Sequence, residues 1–79
     1  ELDQAEVMYG ESLALHEELG DKIGMAHTYR SLGTVFRERG DLAQAEVMYR
    51  KSLTLFPKKQ MSSEVSRIQN LLKDIGAVD

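Results

Sequence analysis

The chain has 79 residues, no cysteine, and 13 acidic against 10 basic side chains, for a formal charge of -3. That size allows one domain with a modest core, and no disulfide or thiolate metal site can reinforce it. The mild acidity, with a pI near 5.3, argues against a nucleic-acid binder, which needs a concentrated basic face. No apolar run approaches the roughly 18–20 residues that span a membrane, and the start lacks a signal-peptide pattern. Without cysteine, a cytoplasmic setting is the simpler expectation. The chain opens with Glu1 inside what reads as a repeat, so a fragment of a longer array is expected.

Residues 2–19 are the first predicted helix. Leu2, Ala5, Tyr9, Ser12, Leu13 and His16 recur at steps of three and four, and Met8, Leu15 and Leu19 broaden the apolar stripe. Glu1, Asp3 and Glu6 sit where a helix N-terminus favours carboxylates. Gly20 and Asp21 stop this helix. Gly10, in mid-helix, either permits a close approach or is simply tolerated.

A second helix is expected from Lys22 or Ile23 to Arg39, with Met25, Ala26, Tyr29, Leu32, Gly33 and Phe36 inward. Gly40-Asp41 ends it and starts the next helix at once, which forces an antiparallel hairpin. The third helix, 42–56, packs through Leu42, Ala45, Met48, Tyr49, Ser52, Leu53 and Phe56. Asp41 is its N-cap and Pro57 its stop. A fourth helix runs from Met61 or Ser62 to Ile75, capped by Ser62 or Ser63, with Val65, Ile68, Leu71, Leu72 and Ile75 on one side. Gly76 closes it, and Ala77 to Asp79 are expected to fray. The fold class is all-α, since no strand-like alternation occurs.

The first and third helices share their words. Leu2 matches Leu42, the run Gln4 to Tyr9 repeats as Gln44 to Tyr49, Ser12-Leu13 returns as Ser52-Leu53, and Leu15 as Leu55, always 40 residues apart. A fixed period in this range marks a solenoid whose units bury their apolar faces by stacking. On Tyr29, Leu32, Gly33, Phe36, Gly40, Ala45, Tyr49, Ser52 and Pro57, residues 26–59 resemble a tetratricopeptide repeat unit. The 40-residue offset is similar to that family's long variant.

The resemblance implies one domain over 1–79: a short right-handed superhelical solenoid of about four antiparallel helices. Residues 2–19 would be the second helix of a truncated repeat, 23–56 a complete hairpin, and 62–75 a capping helix. In it, Tyr29, Leu32, Gly33, Phe36, Ala45, Tyr49, Ser52 and Pro57 are structural, with Gly33 and Ala45 permitting close helix approach.

The resemblance also implies a non-catalytic scaffold that holds a peptide or a helix of another protein on its concave face. Carried over by position, that face would offer His27, Arg30, Ser31, Thr34, Arg37 and Glu38, with Gln69, Lys73 and Ser66 from the last helix. Arg30 and Thr34 stand where the family's grip on a C-terminal carboxylate uses lysine and asparagine. A groove holding Arg30, Arg37 and Lys73 would attract carboxylates. The alternative is a structural repeat that associates with its own copies through open solenoid ends.

No catalytic constellation competes with these readings. His16 and His27 lie on different helices without a metal-ligand motif, and Glu17 and Glu18 are consecutive rather than opposed across a cleft. Gly20 to Gly24 lacks the spacing of a phosphate loop. His16 corresponds to Phe56, which predicts a partly buried packing role. The methionines, Met8, Met25, Met48 and Met61, fit core or inter-repeat filling. No cofactor, metal, membrane or nucleic-acid partner is expected.

Overall fold

The computed structural model describes residues 2–77, with side chains from Gln4 onward. The expectations for Glu1, Val78 and Asp79, and for the side chains of Leu2 and Asp3, lie outside the described residues. Four helices follow in order: α1 (Leu2–Leu19), α2 (Lys22–Arg39), α3 (Leu42–Leu55) and α4 (Ser62–Asp74), with no strand among the described residues. They form a slab of 35 × 33 × 15 Å.

One local device makes both of the tight helix connections. Gly20 and Gly40 take positive φ values of 71° and 86°, which glycine adopts without steric cost. The N–H of the following aspartate then donates back into the finished helix, Asp21 to the His16 carbonyl at 2.8 Å and Asp41 to the Phe36 carbonyl at 2.9 Å. The same aspartates open the next helix. Asp21 Oδ1 accepts from the Gly24 N–H at 2.9 Å, and Asp41 Oδ1 accepts from the Gln44 N–H at 3.2 Å.

The other boundaries differ from expectation by single residues, each for a local reason. Phe56 is extended, with ψ of 131°, because the following proline disfavours helical backbone there, so α3 ends at Leu55. Met61, with no side-chain cap, precedes α4 in place of Ser62 or Ser63. Instead the Met61 and Val65 N–H groups donate to the Pro57 and Met61 carbonyls at 2.9 and 3.1 Å. Ala77, expected to fray, is held: its N–H donates to the Leu72 carbonyl at 2.9 Å and its side chain packs on the core.

The core lies where α2, α3 and α4 meet, built from Ala26, Ala45, Tyr49, Phe56, Val65, Ile68 and Leu72. Burial of side chains the size of Phe56 and Ile68 contributes about 1.5–3 kcal/mol each. Small residues allow the close packing of α2 on α3. Gly33 faces the Tyr49 ring, and the Ser52 hydroxyl, fully buried, donates to the Ala26 carbonyl at 2.6 Å. Thr28 and Val35 are buried in addition to the expected set, while Phe36 is half-buried. Thr28 satisfies its hydroxyl by donating to the Gly24 carbonyl at 2.9 Å.

Several expected packing residues are instead on the surface. Met8 is 67% exposed, Leu15 56% and Leu19 71%, and Leu42 is also exposed. Helical phase explains the first three: they flank the stripe of Ala5, Tyr9, Ser12 and His16 on the side away from α2. His16 is polar in its contacts as well as half-buried, with Nδ1 3.0 Å from Asp21 Oδ2. Gly10 has no heavy atom within 4 Å of where a Cβ would stand, so it permits no close approach.

Candidate functional site

On α2, residues four apart share a stripe, and Arg30, Thr34 and Glu38 follow one another along it with Ser31 and Val35 beside them. On α4 the matching stripe is Arg67, Asn70, Leu71 and Asp74. Together with Tyr9 of α1, these side chains line one open groove of about 490 Å3. Tyr9 reaches the groove because its side chain is only half-buried, unlike its repeat counterpart Tyr49.

Charge is graded along the groove. Arg30 Nη1 lies 3.8 Å from Glu64 Oε1, and Arg67 Nη1 lies 3.9 Å from Glu64 Oε2. At these lengths the pairs are ionic without being hydrogen bonds, so guanidinium donors stay available for a ligand. Glu64 offsets one of the two positive charges. Towards the other end stand Glu38, in the last turn of α2, and Asp74, the last residue of α4. A carboxylate at a helix C-terminus opposes the helix dipole at a cost of about 0.3–1 kcal/mol.

Between these ends the lining is nearly neutral. Thr34 is fixed by two contacts: its hydroxyl donates to the Arg30 carbonyl at 3.3 Å or shares a hydrogen bond with the Tyr49 hydroxyl at 3.0 Å. This contact ties the groove wall to the core. Asn70 adds an amide that both donates and accepts, and Val35 and Leu71 add apolar surface.

The residues expected on the concave face do not all gather here. Arg30, Ser31, Thr34 and Glu38 line the groove. Gln69, Lys73 and Ser66 line a second hollow of about 600 Å3 with Leu53, Leu72 and Ala77, and Asn70 stands on the rim shared by the two hollows. Lys73 therefore does not share a groove with Arg30, because positions 66, 69 and 73 lie on the opposite flank of α4 from 67, 71 and 74. His27 packs edge-on against Phe56, with ring centroids 4.9 Å apart at 81°. Arg37 is half-buried and lines neither hollow.

Tyr9, Val35, Arg67, Asn70, Leu71 and Asp74 also line the groove and were not among the residues expected on the binding face. The expected face turned the Ser66, Gln69 and Lys73 flank of α4 towards Arg30, whereas the structure turns the Arg67, Leu71 and Asp74 flank there. Among the described residues, no group of three or more His, Asp or Glu side chains could hold a metal ion, and no helix is long and apolar enough to cross a membrane.

The model of one protein family, described as tetratricopeptide repeat, matches residues 1–58, which hold α1, α2 and α3. No curated protein and no solved structure matches the chain.

Proposed function

We propose that this chain, which belongs to the tetratricopeptide repeat family, is a non-catalytic binding module that holds a segment of another protein in the groove between α2 and α4. The family's general role is interaction between proteins. The observation that carries the reading to this place is the groove itself, roughly 490 Å3 with charged ends and a neutral middle. Such a lining suits a polypeptide, whose main chain needs donors and acceptors and whose side chains need local charge partners. Selection of binders from a phage-displayed random peptide library, repeated on Asn70→Tyr, tests it. Asn70 is exposed, so the bulky ring blocks the groove without disturbing the core, and Ser66→Tyr, an exposed position that lines the second hollow alone, is the control. Binders lost on Asn70→Tyr and kept on Ser66→Tyr support the reading, and binders that ignore Asn70→Tyr, or are lost on Ser66→Tyr as well, contradict it.

A second reading, self-association through α1, is favoured by a separate observation. Val7, Met8, Leu15 and Leu19 expose large apolar side chains. Their repeat counterparts in α3 include Met48 and Leu55, both half-buried, and Leu55 packs on the core. Met8, Leu15 and Leu19 share one side of α1, and exposed apolar side chains so placed suit contact with another helix. Light scattering from micromolar to hundred-micromolar concentration tests it, with mass rising with concentration as the supporting result and a constant monomer mass as the contradicting one.

A further inference from the structure

The charge gradient specifies what kind of segment the groove accepts. Arg30 and Arg67, converging on Glu64, leave one end positive after Glu64 offsets one of them. Glu38 and Asp74 make the other end negative, and each stands in the last turn of its helix. The dipole of a helix disfavours an acidic side chain in that turn, so neither carboxylate serves its own helix there. Both are exposed on the groove, open to a cation from outside.

The spacing between the ends sets the spacing in the ligand. Arg30 and Glu38 are eight residues apart on α2, which is about 12 Å at 1.5 Å per residue. An extended chain covers about 3.3 Å per residue, so the same distance corresponds to a separation of three or four residues. The stretch between the charges meets the polar groups of Ser31, Thr34 and Asn70 and the apolar surface of Val35 and Leu71. Those groups suit a main chain with small or apolar side chains.

We propose that the groove selects an extended segment of a partner protein that carries an acidic and a basic residue three or four positions apart. The acidic residue lies at Arg30 and Arg67, and the basic one at Glu38 and Asp74. This specificity rests on the groove being the binding site, as proposed above. Charge complementarity of this kind fixes register and rejects segments of uniform sign, because one end of the groove always repels them.

The test uses the 79-residue chain and a phage-displayed library of random dodecapeptides. Enriched peptides are expected to share an acidic and a basic residue at that separation. A synthetic copy should bind Glu38→Lys/Asp74→Lys at least tenfold more weakly, and a peptide with its basic residue changed to glutamate should recover on that variant. All four groove-end positions are partly or fully exposed, so these substitutions leave the fold intact, which circular dichroism checks. Peptides that need an open groove, being lost on Asn70→Tyr and kept on Ser66→Tyr, but show no such charge spacing would overturn the specificity and leave the site standing. A library that yields no binder lost on Asn70→Tyr and kept on Ser66→Tyr would overturn the site and the specificity together.

Discussion

A Cβ placed on Gly33 would stand 2.5 Å from Cδ1 and Cε1 of the Tyr49 ring. Tyr49 is fully buried and its hydroxyl is held by Thr34 at 3.0 Å, so the ring has no room to withdraw. Gly33→Ala therefore overpacks the α2–α3 contact at a cost of about 1–3 kcal/mol. Improved helix propensity returns about 1 kcal/mol. A lower urea midpoint is the expected result.

Gly10→Ala should act in the opposite direction. It has the same helix propensity gain, about 0.5–1 kcal/mol, and open space around the added methyl. Paired urea titrations of the two variants check that two helical glycines in one chain respond with opposite sign.

Ser52→Ala removes the buried hydrogen bond to the Ala26 carbonyl, 2.6 Å long. The expected loss is about 0.5–1.5 kcal/mol. Ser12, its repeat counterpart, is half-buried and meets the Thr28 hydroxyl at 3.5 Å, so Ser12→Ala should change stability much less. Thermal melts of both variants read the difference.

Tyr49→Phe deletes the partner of the Thr34 hydroxyl. Stability should fall by about 0.5–1.5 kcal/mol, and groove ligands should weaken because the wall of α2 is less firmly set. Tyr9→Phe should leave stability nearly unchanged, since Tyr9 lies at the groove surface. Denaturation and peptide titration on the two variants separate the roles of identical residues.

Met8→Gln/Leu15→Gln should abolish any concentration-dependent mass while leaving the thermal midpoint intact, because both side chains are exposed. Leu55→Gln is expected to destabilise the chain, since Leu55 packs against the core. Light scattering and thermal melts together check the contrast.

The helical plan was legible because it rests on local chemistry. Each glycine-aspartate pair carries the closing and opening signals of two helices in adjacent residues, and Pro57 fixes a stop. Burial was less legible. Tyr9 and Tyr49 sit in the same six-residue run, yet one lines a groove and the other is wholly enclosed. Leu15 and Leu55 differ in the same way. Neighbouring helices decide such differences, and identical local sequence cannot encode them. The groove was half legible for a related reason: Arg30, Ser31, Thr34 and Glu38 of α2 came by position from the family resemblance, whereas Arg67, Asn70 and Asp74 depended on which flank of α4 turns towards α2.

Central to this account is the groove between α2 and α4 as the place where a partner's polypeptide is held. Backbone amide shifts recorded by nuclear magnetic resonance during titration with a library-selected peptide test it most directly. The largest changes should fall at Arg30, Ser31, Thr34, Arg67 and Asn70. Largest changes at Val7, Met8, Leu15 and Leu19 would contradict it and place the binding face on α1.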